Sequence, residues 1–168
     1  MKKFTALLLA LCLSLCAFTA LAEEPATVEI TNEVSYEAVT VPMGDTGLTF
    51  QLPADWQAVN PMPENAQFCF VNAENTISVT GILCADFDTV MAAIDASVAN
   101  GTYKNEVGAA TINGLYYVMA TSADGLYSYA YLYTSEENMY CFCFGSTDAE
   151  MDAPAYIYEM LGSVAAAE

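Results

Sequence analysis

Four tyrosines alternate along one short stretch of the sequence, a pattern that suggests ligand binding. Alternate residues of an extended strand face the same way, so one face would carry Tyr127, Tyr129, Tyr131 and Tyr133. An exposed aromatic row stacks against sugar rings or seats a protein partner. Aromatic side chains are more often buried, and the alternative is that the row packs beneath a helix. Both alternatives stay open at this point.

Four cysteines follow residue 22, namely Cys69, Cys84, Cys141 and Cys143. An even number permits disulfides in an oxidising compartment, with three connectivities. Cys141 and Cys143 are two residues apart on a strand and cannot readily bond to each other. We expect a disulfide, if one forms, to join Cys69 to Cys141 or Cys143, provided that those strands adjoin. The alternative is that all four are small buried hydrophobic thiols.

The sequence has neither a Cys-x-x-Cys pair nor an Asp-x-Asp-x-Asp loop, so we expect no metal site and no cofactor. Histidine is absent, and the three basic residues are Lys2, Lys3 and Lys104. A Ser–His or Cys–His pair is therefore impossible. A pair of carboxylates, as in glycoside hydrolases, is the catalytic alternative that remains. Because the acids fall mostly at turns and helix ends, we predict that the chain is not an enzyme.

Residues 1–22 have the pattern of a secretory signal peptide. Lys2 and Lys3 form a positive start, an apolar run follows, and Ala20-Leu21-Ala22 fits the small-x-small cleavage rule. We predict cleavage after Ala22, a secreted or extracytoplasmic protein, and no transmembrane span in the mature chain. Residues 23–39 predict an acidic tether or an edge strand.

The mature chain is strongly acidic. After residue 22, 21 acids are opposed by one lysine, which gives a formal charge of −20. Such a surface repels nucleic acid and anionic lipid and favours cationic partners. Acidity also keeps an apolar secreted protein in solution, which is the simpler explanation.

Residues 40–168 predict a single α+β domain, in which an antiparallel sheet of about six strands has helices on its faces. An i, i+3, i+4, i+7 stripe predicts a helix near residues 86–100, with Asp86 or Asp88 as its cap and Asn100-Gly101 as its end. Asn113-Gly114 and Asp124-Gly125 predict hairpin turns in a meander. A second helix follows residue 152, with the apolar stripe Ala153, Ile157, Met160, Leu161 and Val164.

The segment Phe50-Gln51-Leu52-Pro53-Ala54-Asp55-Trp56 resembles the F-x-L-P-x-x-W opening of PsbP-like and DcrB-like extracytoplasmic domains. The order of elements from Thr40 to Val164 is similar to theirs. The resemblance implies an α/β/α layout and a protein-binding or envelope-accessory role, without a shared active site or any functional residue to carry over.

Together these observations predict a non-catalytic secreted or envelope-associated binding module for a protein or glycan partner, with no role in nucleic-acid binding. A carboxylate-based glycan hydrolase and a structural protein without a ligand are the two alternatives.

Overall fold

The computed structural model of the chain describes residues 26–28, 34–148 and 154–167. The predicted signal peptide, its predicted cleavage after Ala22 and most of the predicted tether or edge strand lie outside these residues. Within them the elements are, in chain order, β1 (Ala26–Val28), β2 (Ala38–Pro42), a 3-10 turn (Gly44–Thr46), β3 (Leu48–Pro53), β4 (Gln57–Ala58), β5 (Ala66–Val71), β6 (Ile77–Leu83), α1 (Phe87–Ala99), β7 (Gly108–Ile112), β8 (Leu115–Thr121), β9 (Tyr127–Tyr133), β10 (Met139–Ser146), α2 (Pro154–Gly162) and β11 (Ala165–Ala166).

A central sheet has the strand order β1-β7-β8-β9-β10-β6-β5-β4. All neighbours in it are antiparallel except β1 and β7, which run parallel. The predicted α+β class and the antiparallel meander are confirmed. The expected strand count was too low, because β4 and β1 have two and three residues and are too short to show alternation in the sequence.

A second, three-stranded sheet has the order β11-β3-β2. Strand β3, which contains the first half of the Phe50 to Trp56 segment, belongs to this sheet. Its Phe50 and Leu52 are buried against the central sheet, and the Phe50 ring meets that of Phe142 edge-on at 5.4 Å. Because β8, β9 and β10 carry apolar residues on both faces, each face of the central sheet must be covered. The three-stranded sheet covers part of one face.

Helix α2 covers the same face of the central sheet as the three-stranded sheet. Four members of its predicted stripe are buried, namely Ile157, Met160, Leu161 and Val164, and Val164 lies just beyond the end of the helix. The fifth member, Ala153, lies outside the described residues. Ser35 reaches this helix from the N-terminal side, where its hydroxyl donates to the Glu159 carboxylate at 2.9 Å.

Helix α1 packs on the opposite face of the central sheet. Asp86 is its N-cap, since the Asp86 carboxylate accepts from the Thr89 N–H at 2.9 Å, and Gly101 follows its end with a φ of +77°. Ile94 and Val90 are buried against β8, β9 and β10. The predicted helix and its apolar stripe are therefore confirmed, and the domain has three layers.

Neither helix in the described part of the chain has both the length and the apolar character that crossing a bilayer requires.

Candidate binding surface

The four tyrosines of β9 lie on the face of the central sheet that α1 covers. Their cross-strand partners on β10 are Gly145, Cys143, Cys141 and Met139, in that order. Tyr131, in the middle, is 9% exposed, whereas Tyr127 and Tyr133 at the two ends are 45% and 39% exposed. The row is thus half core and half surface, and the two exposed rings do not form one continuous platform.

Tyr103, in the segment after α1, covers the middle of the row. Its ring lies 4.9 Å from that of Tyr129, and its hydroxyl hydrogen-bonds to that of Tyr131 at 3.0 Å. Burial raises the pKa of all three tyrosines above the ordinary value, because the phenolate would lose its hydration there. These three side chains therefore stabilise the fold and are neutral at physiological pH.

All four cysteines also lie on the α1 face, and all are free thiols. The sequence-based pairing of Cys69 with Cys141 or Cys143 required β5 and β10 to adjoin. Strand β6 lies between them instead, and its Thr80 pairs with Cys69 on one side and Cys143 on the other. The Thr80 hydroxyl donates to the Cys69 sulfur at 3.2 Å. Two strand spacings amount to about 9.5 Å, which exceeds the reach of a disulfide.

Cys84 and Cys141 form a closer pair. Interaction with the Cys141 side chain lowers the pKa of Cys84, while interaction with Cys84, together with burial, raises the pKa of Cys141. Cys84 is partly exposed and Cys141 is buried. Burial also raises the pKa of Cys143, to about 11. Among Cys84, Cys141 and Cys143, the thiol of Cys84 consequently ionises most readily.

A polar pocket of about 270 Å³ opens where the 3-10 turn approaches the β9–β10 hairpin. It is lined by Asp45, Thr46, Gln67, Leu83, Thr134, Ser135 and Asn138. The hairpin wall is held by its own hydrogen bonds, such as the one from the Thr134 hydroxyl to the Asn138 carbonyl at 2.7 Å. Apart from Leu83, the lining therefore consists of residues with hydroxyl, amide or carboxylate side chains.

The sequence did not predict this pocket. The lining residues come from separate segments of the chain, and each segment has the ordinary composition of a turn or a strand end. Only the pairing of β6 with β10 brings Leu83 to the hairpin. No spacing rule in the sequence could have found the pocket.

Among the described residues, no carboxylate is buried, and the pocket holds a single one, Asp45. No group of three or more Cys, Asp or Glu side chains in this part of the chain is arranged to hold a metal ion. Asp86 and Asp124 instead accept hydrogen bonds from Thr89 and from Ser122 and Leu126. These bonds lower the pKa of both carboxyls.

No family model matches the sequence, and no curated protein is similar to it. The fold, in contrast, has solved counterparts. Cyanobacterial PsbP (CyanoP) from Synechocystis superposes with a TM-score of 0.53 over 77% of this chain and 92% of its own, at 11% identity. The Ran-binding protein Mog1p from Saccharomyces cerevisiae superposes with a TM-score of 0.51 over 80% of this chain and 97% of its own, at 14% identity.

Both superpositions cover nearly the whole of the neighbouring structure at an identity that carries no information about shared residues. They agree with the resemblance of the Phe50 to Trp56 segment and with the order of the elements. The chain has a PsbP-like α+β fold.

Proposed function

We propose that this chain is a non-catalytic, extracytoplasmic accessory module that binds a positively charged protein partner. The observation that carries the proposal is the charge, since 21 acids after residue 22 are opposed by Lys104 alone and every described carboxylate lies at or near the surface. A surface of one sign attracts partners of the other sign and accelerates their association.

The polar pocket offers a place for one basic side chain of the partner. Asp45 lines it, and the exposed Glu136 and Glu137 stand in the turn between its lining residues Ser135 and Asn138. A lysine ammonium has three donors and no acceptor. The carboxylate, hydroxyl and amide oxygens around this pocket are the acceptors that such a group requires.

The fold neighbours support an accessory role, because one of them is named for binding another protein, Ran. A glycan hydrolase finds no comparable support. Glycoside hydrolysis uses two carboxylates about 5–9.5 Å apart across the substrate. The lining of this pocket contains one, Asp45, and Glu136 and Glu137 stand outside the lining, in the exposed turn. We therefore do not carry that alternative further.

The extracytoplasmic part of the proposal depends on export. Protein secreted by the source organism should begin with Glu23-Glu24-Pro25 when its N-terminus is sequenced, because Ala20 and Ala22 fit the cleavage rule. A mature chain that begins at Cys16 would show lipid anchoring instead. A chain that keeps Met1 and stays in the cytoplasm would contradict this part of the proposal.

The binding part is tested by capture from the organism's extracytoplasmic fraction. The exported protein is immobilised, and bound proteins are quantified at about 20 mM and 300 mM salt, conditions between which a charge-driven partner should be released. The variant Asp45→Asn/Glu136→Gln/Glu137→Gln removes the charges around the pocket. The matched control Glu64→Gln/Glu74→Gln/Glu106→Gln removes three exposed charges that do not line it.

We expect the pocket variant to lose at least about five-fold in captured partner and the control to lose less than about two-fold. Equal losses would mean that net charge alone attracts proteins without a defined site. Capture that does not change with salt or with the pocket variant would contradict a cationic partner.

A further inference from the structure

Cys84 stands at a break in the ladder between β6 and β10. The Cys84 N–H donates to the Met139 carbonyl at 2.8 Å, while the Met139 N–H donates to the carbonyl of Ala85 at 3.0 Å. Two residues of one strand thus oppose one residue of the other, which is a β-bulge. Bulges turn a strand end and change the aim of its side chains.

The pairing places Cys84 beside Cys141. Cys141 lies directly opposite Ile82, so Cys84, two residues further along the chain, is its diagonal neighbour on the α1 face. Diagonal side chains in a flat sheet are about 7 Å apart at Cβ or somewhat less. Here both thiols pack in the same cluster beneath α1, and each is the largest influence on the pKa of the other. The bulge changes the aim of the Cys84 side chain relative to a flat ladder.

We propose that Cys84 and Cys141 form a disulfide in the oxidising compartment to which the chain is exported, and that Cys69 and Cys143 stay reduced. The bond would tie the start of α1 to β10. The proposal is independent of the partner and of the polar pocket.

The chemistry requires an oxidant, and a small-molecule or protein disulfide R–S–S–R is sufficient. The Cys84 thiolate attacks one sulfur of the oxidant and releases one R–S⁻, which leaves a mixed disulfide on Cys84. Cys141 then loses its proton and attacks the Cys84 sulfur, which releases the second R–S⁻. Both leaving groups take up protons, so two protein thiols and R–S–S–R give one protein disulfide and two R–SH.

The surroundings favour this order of attack. Cys84 is partly exposed and follows Leu83, the last residue of β6, so an oxidant can reach it and the chain can adjust. Its pKa is lowered by Cys141, which increases the thiolate fraction that reacts. Cys141 is buried behind it and meets the mixed disulfide from within the protein.

The other pairings are unfavourable. Cys141 and Cys143 are two residues apart on β10 and point the same way. Cys69 is separated from β10 by the Thr80 position of β6. Cys143 pairs with Tyr129 and Thr80 on its two sides, which leaves Cys84 as the cysteine diagonal to Cys141 on the neighbouring strand.

The single lysine after residue 22 gives a direct test. In the chain after residue 22, trypsin cuts only after Lys104. One fragment then contains Cys69 and Cys84, and the other contains Cys141 and Cys143. The exported full chain is incubated with oxidised glutathione, and its free thiols are then blocked with N-ethylmaleimide. The tryptic digest is analysed by mass spectrometry with and without reductant. We expect one joined species that separates on reduction, with N-ethylmaleimide on Cys69 and Cys143.

Variants identify the bond. The joined species should fall at least about ten-fold in Cys84→Ser and in Cys141→Ser, and persist in the matched controls Cys69→Ser and Cys143→Ser. Separate fragments from the unreduced wild-type protein would overturn the proposal, as would a joined species that survives Cys84→Ser. Because the blocked positions are read in the wild-type chain, the result does not depend on the folding of any variant.

Discussion

The hydroxyl oxygens of Tyr103 and Tyr131 lie 3.0 Å apart and share one hydrogen bond across 28 residues of sequence. This bond fastens the segment after α1 onto the middle of β9. Tyr131 itself belongs to the core, because it packs with Val90 and Ile94 of α1.

Tyr103→Phe should lower the free energy of unfolding by about 1 kcal/mol or somewhat more, because it leaves the hydroxyl of the buried Tyr131 without its partner. Tyr131→Phe should cost less, since Tyr103 is partly exposed and its hydroxyl can turn to water. The double variant should cost less than the sum of the two. Urea unfolding of all four proteins measures this coupling, and strictly additive effects would show that the bond contributes nothing.

Ile94→Asp should destabilise the domain by several kcal/mol, roughly 2–7, the range for a polar group buried without a partner. Ile94 is 1% exposed and lies between α1 and the sheet. The matched control is Ala92→Asp, two residues earlier on the exposed side of the same helix, where the change should be small. Similar melting temperatures for the two variants would contradict the observed packing of α1.

Gly81→Ala should destabilise by about 1–3 kcal/mol, the usual cost of overpacking a core. A Cβ at Gly81 would overlap the ring of Phe68 and the hydroxyl of Tyr140, and both side chains are buried. The control is Gly145→Ala on β10. There the added Cβ meets the Ser78 hydroxyl at 2.7 Å and the ring of Tyr127 at 3.2 Å. Rotation of the small Ser78 side chain relieves the first contact, and Tyr127 is exposed enough to move aside. Equal losses of stability by thermal unfolding would contradict this distinction.

Stability should respond to acid in two pH ranges. The hydrogen bonds from Thr89 and Ser122 hold the pKa of Asp86 and Asp124 below the ordinary 3.8. The pKa of each carboxyl is therefore lower in the folded protein than in the unfolded chain. The two groups contribute fully to the stability of the fold above a pH of about 4, and this contribution is lost as the pH falls through their folded pKa values. From neutrality to about pH 5, protonation of repelling carboxylates acts in the opposite direction and should raise stability.

Urea midpoints at pH 3, 5 and 7 would show this maximum. Asp86→Asn/Asp124→Asn removes the titration while asparagine still caps a helix or turn, so the loss below pH 4 should become shallower. An unchanged loss of stability below pH 4 in that variant would assign the loss to other groups.

Added sodium chloride should raise the melting temperature at pH 7, because screening weakens the repulsion between the carboxylates. A flat or falling melting temperature would mean that the acids are too dispersed to strain the fold.

The sequence was sufficient for the elements that local rules determine. The α1 stripe repeats with the helical period and is bounded by Asp86 and by Asn100-Gly101. The Asn113-Gly114 turn requires positive φ angles, which are +49° and +80° in the structure. In both cases the information lies within a few neighbouring residues.

The rest depends on contacts between distant segments. Ala165 pairs with Thr49, although most of the chain lies between them, and nothing in the sequence around either residue indicates this pairing. The relation between Cys84 and Cys141 depends on a bulge that only the register of β10 against β6 shows. The polar pocket likewise exists only where Asp45 and Asn138 are brought together, and so its residues could not be predicted.

The short outer strands of both sheets have a consequence for the behaviour of the protein at high concentration. More than half of its residues are hydrophobic, and an unpaired strand of ordinary length is a template on which further chains polymerise. The central sheet ends in β4, with two residues, and in β1, with three. The outer strands of the smaller sheet are β11, with two residues, and β2, which ends at Pro42. Because proline has no backbone N–H, β2 lacks one hydrogen-bond donor. Chain-to-chain growth at β4, β1 and β11 thus finds very little backbone to copy. The five residues of β2 offer a longer edge, and we expect any fibril formation in concentrated solutions to begin there.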